Sequence, residues 1–356
     1  MKLQGVATRS IMLADDGRSV RVLDQRQLPW RIVFETLDSL EKTQVAIQDM
    51  WVRGAPLIGA TAAYGICLAL SEDASTPRLH QAYERLLATR PTAINLRWAL
   101  DEMFQVVEPL PPSERVAAAY ARAAAICDKD VMLCQAMGRH GLAVIQAIAR
   151  EKSATPKQPV NILTHCNAGW LATVDYGTAL APIYMAHDAG VAVHVWVDET
   201  RPRNQGASLT AFELAEHGVP HTVISDNAGG LLMQRNEVDL CIVGADRVTR
   251  NGDVCNKVGT YLKALAAYDN AVPFYVALPY TTIDPTMAQG SEIPIEERDP
   301  REVTTMSGQC EDGALRTVTL TRSSALNPAF DVTPARLVSG YITERGILQS
   351  DALLSL

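Results

Sequence analysis

Five apolar runs of strand length, each followed by a polar turn, constrain this chain more than any other feature. The runs are Asn161–Thr164, Val191–Val197, His221–Ile224, Leu240–Val243 and Phe274–Leu278. Between them lie segments with helical patterns, roughly Thr173–Ala189, Leu209–His217, Gly230–Arg235 and Lys257–Asp269. Strand, helix, strand in that repeating order predicts a parallel sheet with helices on both faces, since parallel neighbours need a crossover. The first thirty residues differ. Ile11-Met12-Leu13 and Val20-Arg21-Val22-Leu23-Asp24 read as short strands joined by an Asp-Asp-Gly turn. Residues 40–150 read mainly as helix, interrupted at Pro109, Pro111 and Pro112, with Ser113 as the N-cap of the next helix. In that helix Val116, Ala117, Tyr120, Ala123 and Ala124 recur at helical spacing. With 356 residues the chain is long enough for two domains. We expect an N-terminal strand-plus-helix domain over 1–125 and a Rossmann-like α/β domain over 126–356.

In open α/β sheets, ligands bind outside the carboxyl ends of the strands. Two such ends stand out. The first run ends in His165-Cys166-Asn167-Ala168-Gly169, and the fourth in Gly244-Ala245-Asp246-Arg247. A thiol at Cys166 would face the crevice, where the amides of Asn167, Ala168 and Gly169 offer an anion-binding nest. The local pattern also fits a buried structural cysteine. Gly244 and Ala245 leave room for a ligand beside Asp246, whose carboxyl suits acid–base work between apolar walls. A helix-capping or Arg247-paired carboxylate fits the same residues. His165 is expected to be structural, because it points away from its neighbour.

Other turns add polar groups. Arg53-Gly54-Ala55-Pro56-Leu57-Ile58-Gly59 places an arginine before a helix start, an arrangement that receives phosphate. Asp198-Glu199-Thr200-Arg201-Pro202 follows Val191–Val197, Gln205-Gly206-Ala207-Ser208 leads into the next helix, and Asp226-Asn227-Ala228-Gly229-Gly230 is a further strand-to-helix turn. Asn256-Lys257 opens a further helix, with Lys257 able to supply a point charge to phosphate.

Several function classes are excluded. A net charge of -8 argues against a general nucleic-acid binder. No Gly-x-Gly-x-x-Gly follows a strand and no Walker loop is present, so neither a dinucleotide nor a nucleoside triphosphate site is expected. The seven cysteines are scattered and the histidines lack metal-ligand spacing, so no disulfide framework and no metal site are expected. No basic start with an apolar run opens the chain, and no apolar stretch of about 18 residues is apparent. A cytoplasmic protein with reduced thiols and no membrane partner is the expectation.

Long blocks of the sequence resemble the S-methyl-5-thioribose-1-phosphate isomerase family, relatives of the alpha, beta and delta regulatory subunits of initiation factor 2B. The blocks are Arg53–Gly59, Arg90-Pro91-Thr92-Ala93-Ile94-Asn95-Leu96, His165–Thr173, Val197–Pro202 and Gly244–Tyr261. The resemblance runs through nearly the whole chain. It implies an aldose–ketose isomerase of methionine salvage, homodimeric and without a cofactor, acting on a sugar 1-phosphate. It puts the catalytic pair on Cys166 and Asp246. It puts substrate contacts on Arg53, Gly54, Ala55, Arg90, Gln205, Asn256 and Lys257. Leu57 and Trp170 depart from the family's usual smaller residues, and Trp170 would bear on substrate preference if it lined the pocket. On this reading Asp246 performs proton transfer and Cys166 assists movement of hydrogen between C1 and C2. The alternatives are another sugar 1-phosphate, such as 5-deoxyribose 1-phosphate or ribose 1,5-bisphosphate, and a non-catalytic regulatory subunit. A regulatory subunit has no need of both Cys166 and Asp246.

Overall fold

The computed structural model describes residues 1–90, 93–152 and 158–353; Pro91 and Thr92 of the Arg90 block lie outside them. Its main sheet has seven strands in the spatial order Gly346–Leu348, Gly340–Thr343, Phe274–Ala277, Leu240–Val243, Val160–Thr164, Val193–Asp198, His221–Ile224. All neighbours pair in parallel except the terminal hairpin of Gly340–Thr343 with Gly346–Leu348. From Val160–Thr164 the chain builds outward in one direction through His221–Ile224. It then returns to the other side of Val160–Thr164 and builds outward again. The order reverses between Val160–Thr164 and Leu240–Val243, which is where an open α/β sheet leaves a crevice.

Alternate strand residues feed two cores, as a pleat with both faces covered requires. Ile162, Val195, Val197, Leu240 and Ile242 pack with Ile183, Tyr184 and Leu214 on one face. Leu163, Cys241, Val243, Phe274 and Val276 pack with Met233, Ala264 and Ala267 on the other. A third core belongs to the N-terminal part. There Ile11–Leu13, Val20–Leu23 and Phe34–Leu37 form an antiparallel sheet, and Ala55–Glu72 is the central helix of a bundle. The tight turn into the second of these strands is held by Asp16, whose carboxylate accepts from the amides of Arg18 and Ser19.

Ala55–Glu72 corrects the expectation that the chain has no long apolar stretch. It is 18 residues long and apolar enough to cross a membrane, but 83% of it is buried inside the fold. It is the core helix of the bundle.

The helix Pro112–Lys152 runs unbroken for 41 residues through position 125. Its buried face is Ala119, Ala123, Ile126 and Cys127, rotated from the sequence expectation, and Ala117 and Ala124 are exposed. Ser113 lies inside the first turn and does not cap it. Residues to Val131 belong to the N-terminal core, and those from Cys134 belong to the sheet core.

Two helical expectations also change. Thr173–Ala189 is helical only over Ala181–Asp188. Asn256 and Lys257 lie on a strand, Val254–Lys257, in a second sheet of four strands with Ile283–Asp284, Arg247–Thr249 and Phe330–Thr333. The helix begins only at Thr260, after Gly259 with φ of 106°.

Gly138 and Gly141 let Pro112–Lys152 approach the helix Ala181–Asp188. A Cβ on Gly141 would sit 2.4 Å from Cγ of the rigid Pro182 ring, whereas one on Gly138 meets the flexible end of Met185. Gly141→Val is expected to cost about 1–3 kcal/mol through overpacking. Gly138→Ala, which gains helix propensity, should move the denaturant midpoint far less.

Candidate functional site

The crevice at the strand reversal holds a cavity. Eight of the nine residues singled out from the sequence line it: Arg53, Gly54, Ala55, Arg90, Cys166, Gln205, Asp246 and Lys257. The ninth, Asn256, lines an adjoining recess that also touches Cys166 and Asp246.

Cys166 comes just after the strand Val160–Thr164 but turns left-handed, with φ of 65°. Such a conformation costs a non-glycine residue roughly 1–2 kcal/mol. It is held from two sides. The Cys166 amide donates to Thr200 Oγ1 at 2.8 Å, and its carbonyl accepts from Thr210 Oγ1 at 2.7 Å. Thr200 is fixed in turn by Asp226, whose carboxylate accepts from the amides of Thr200 and Arg201, each at 2.7 Å. The polar turns after three successive strands therefore converge on one backbone position.

An acid group does meet amides of the turn after Cys166, but they are those of Trp170 and Leu171 rather than the Asn167–Gly169 amides expected to form a nest. The amides of Trp170 and Leu171 donate to the carboxylate of Glu213, at 2.8 and 3.0 Å. Trp170 is fully buried in the sheet core and does not line the cavity.

Asp246 lies just beyond the end of Leu240–Val243, its amide donating to Cys255 O at 2.9 Å. Burial pushes its carboxyl above the ordinary range, while Lys257, Arg53 and Arg90 pull it down and Glu296 raises it. Lys257 is buried, and burial lowers its pKa against the opposing pull of Cys166 and Asp246. Its ammonium stands 5.0 Å from the Phe330 ring centre.

Among the described residues, five cationic side chains, Arg53, Arg90, Arg247, Lys257 and Arg298, line the cavity with a single carboxylate, Asp246. On a protein of net charge -8 this concentration marks a site for an anion. Arg53 donates from Nη1 and Nη2 to Asn167, at 2.5 and 2.9 Å. Glu296 bridges Arg90 and Arg298, at 3.2 and 2.8 Å. Gln205 is buried, yet among the described residues its Oε1 has no hydrogen-bond partner. Buried acceptors are normally satisfied, so this carbonyl is available to a ligand donor.

Gly54 has φ of 93° and lies so close to Ala172 that a Cβ would sit 2.4 Å from its carbonyl oxygen. That approach brings the start of Ala55–Glu72 against the turn after Cys166.

Sequence reasoning missed the remaining wall. Met50, Ile58, Ile293, Pro294 and Phe330 supply apolar surface, and Arg298 adds a charge. Phe330 opens a short strand paired with Val254–Lys257, a weak alternating signal that could have been found. Ile293, Pro294 and Arg298 lie in irregular chain and carry none.

His165 borders the recess beside Asn256 but not the cavity itself, and both its ring nitrogens are engaged within the fold. Its Nδ1 lies 2.8 Å from Asp198 Oδ2 and its Nε2 2.9 Å from Val258 O. His165, Asp198 and Asp226 come near enough together to suggest a metal site. The Lys263 ammonium already serves as the cation there, 3.2 Å from Asp198 Oδ2 and donating to Asp226 O.

Residues 51–350 match the model of the initiation factor 2 subunit family. The chain is 64% identical over 353 residues to methylthioribose-1-phosphate isomerase of Paramagnetospirillum magneticum, covering 98% of this chain and 96% of that one. It is 61% identical over 350 residues to the enzyme of the same name from Methylorubrum extorquens, covering 98% and 95%. Among solved structures, 5-methylthioribose 1-phosphate isomerase from Pyrococcus horikoshii superposes with a TM-score of 0.83 at 37% identity, covering 98% of this chain and 95% of that one. The delta subunit of translation initiation factor 2B from A. fulgidus gives 0.80 at 34%, covering 98% and 100%. The chain belongs to the initiation factor 2 subunit family and, within it, to the methylthioribose-1-phosphate isomerases.

Proposed function

We propose that this cavity isomerises S-methyl-5-thio-α-D-ribose 1-phosphate to S-methyl-5-thio-D-ribulose 1-phosphate, a step of methionine salvage. The observation that carries the reading is the meeting of Cys166 and Asp246 in one cavity ringed by cations. The relatives' names and the sequence blocks support the same substrate.

Phosphate on C1 keeps the sugar ring from opening to a free aldehyde, so an acid must assist departure of the ring oxygen. Asp246, held protonated more readily than an ordinary aspartate, donates that proton. Positive charge then develops at C1, and the C2 hydrogen moves to C1 with its bonding electron pair while the C2–O bond becomes the ketone carbonyl and the C2 hydroxyl proton leaves to the Asp246 carboxylate. Atoms balance: one proton is given to the ring oxygen and one is taken from the C2 oxygen. Cys166 stands beside the C1–C2 unit and assists the hydrogen transfer. Arg53, Arg90 and Lys257 hold the phosphate, with the amides of Gly54 and Ala55 at the helix start. Gln205 Oε1 accepts from a sugar hydroxyl, and Asn256 orients the ring. The apolar wall of Met50, Ile58, Ile293 and Phe330 takes the methylthio end. Such a wall discriminates a methylthio from a deoxy sugar by only about 1–3 kcal/mol, so overlapping activity on 5-deoxyribose 1-phosphate is expected.

We also propose a cytoplasmic homodimer. The seven free cysteines suit a reducing compartment, and sedimentation of the purified chain at twice its monomer mass tests the dimer.

Purified protein is expected to form the ketose from methylthioribose 1-phosphate without added cofactor. Asp246→Asn and Cys166→Ser should each lose about 10²–10⁴-fold in kcat while keeping the far- and near-UV circular dichroism of the parent. Full activity in both variants would overturn the assignment.

The acid role also fixes a sign with pH. Protonated Asp246 is the active form, so the rate falls as pH rises through its raised pKa. Lys257→Met removes the cation that lowers that pKa most. It should therefore shift the alkaline limb of the kcat profile to higher pH, and raise KM through loss of a phosphate contact.

A further inference from the structure

We infer that Glu213 is a positioning residue for this reaction, setting the Cys166 turn and, through Asn167, the Arg53 guanidinium. The inference rests on the isomerase reading above for its kinetic consequence, but the geometry stands without it. Glu213 is buried and is not among the residues that line the cavity.

Its carboxylate faces four donors. Oε1 accepts from Asn167 Nδ2 at 2.8 Å and from the Leu171 amide at 3.0 Å. Oε2 accepts from the Trp170 amide and from the Tyr184 hydroxyl, each at 2.8 Å. Three of the four belong to the six residues that begin at Cys166. Asn167 relays the restraint outward, because its Oδ1 and its carbonyl are the acceptors that hold Arg53. Thr210, one turn before Glu213, donates to the Cys166 carbonyl and lies 3.2 Å from Asn167 Nδ2. Between Gln205 and Glu213 the backbone passes through a π-helical turn, Gly206–Thr210, a distortion common at functional sites. One short segment thus carries a cavity acceptor at its start, a clamp on Cys166 in its middle and the anchor of the turn at its end.

A core residue with no further role need not be charged. Burial drives the Glu213 carboxyl up to about 7, against the hydrogen bonds from Asn167, Tyr184, Leu171 and Trp170 that pull it down. All four neighbours donate to it, so the geometry suits a group that accepts on both oxygens. A glutamine cannot replace it: placed with its amide nitrogen on the Oε2 side, it sets N–H against the Trp170 N–H, and flipped it opposes two donors. The fit is close as well. A Cβ on Gly169 would lie 1.8 Å from Glu213 Oε2.

The test compares Glu213→Gln, Asn167→Ala, their double variant and Tyr184→Phe. Tyr184 gives the fourth hydrogen bond from the helix side and does not belong to the turn. A displaced turn of about 1 Å costs up to about 10²-fold in rate. The expected result is a kcat loss of that order in Glu213→Gln and Asn167→Ala, with the double variant no worse than the poorer single one. Tyr184→Phe should lower thermal stability while keeping kcat within about twofold, since it leaves the turn's own bonds to Glu213 in place. Glu213→Gln that loses stability as Tyr184→Phe does but keeps its kcat would overturn the inference, as would multiplicative losses in the double variant. If Glu213→Gln does not fold, Glu213→Asp, which keeps the carboxyl but withdraws it from the turn, takes its place with the same expected and overturning results. A second readout does not depend on the substrate: alkylation of Cys166 by iodoacetamide, mapped by peptide mass. It should be severalfold faster in Glu213→Gln than in the parent. An unchanged rate overturns the positioning role even if the parent proves inactive on methylthioribose 1-phosphate.

Discussion

The site depends on a reversal of strand order. Val160–Thr164 and Leu240–Val243 are neighbours in space, yet the chains leaving them turn in opposite directions. Crossovers that leave these strands cannot both cover the gap between them, and a crevice remains at the carboxyl ends. Cys166 and Asp246 enter that crevice from its two banks. No side chain interaction is required to bring them together; the topology does it. Local chemistry adds precision, through Thr200, Thr210, Asp226 and Glu213 acting on the backbone around Cys166.

The N-terminal part closes the crevice and supplies charge. Its approach is set by backbone contact, since Gly54 abuts Ala172 with no room for a side chain. Arg53 then reaches the Cys166 turn, and Arg90 meets Glu296 from the far wall. The resulting pocket concentrates cations around one carboxyl. Two opposing effects act on Asp246: desolvation favours its neutral form and the cations favour its charged form. Desolvation wins, which leaves an acid beside groups suited to hold an anion. The same balance depresses Lys257, so proton affinities of the two groups are drawn toward each other.

Much of this was legible in the sequence because parallel strands announce themselves as apolar runs, and chemistry collects at their ends. His221–Ile224 and Leu240–Val243 keep the bounds read from the pattern. Elsewhere tertiary context overrode local pattern. Asn256 and Lys257 looked like a helix start because helical spacing comes after them. They instead pair across a small sheet with Phe330 and Asp331, which lie far along the chain. Thr173–Val174 and the residues to Leu180 carry apolar side chains in helical register but serve as a turn, tied by Thr173 Oγ1 to the Asp175 carbonyl. Arg298 and Ile293 reach the cavity from irregular chain, where no periodicity exists to read. Glu213 was invisible for another reason: on a helix pattern a glutamate reads as solvent-facing, and only the fold reveals that it points inward.

The helix Pro112–Lys152 has a consequence beyond packing. One face of a single rod completes the bundle core as far as Val131 and the sheet core from Cys134 onward. At about 1.5 Å per residue it extends roughly 60 Å. Neither half of the chain can be cut free with its interior intact, because severing the rod opens an apolar wound on whichever side loses it. The two halves are therefore expected to melt as one cooperative unit, because one helix is shared between their interiors.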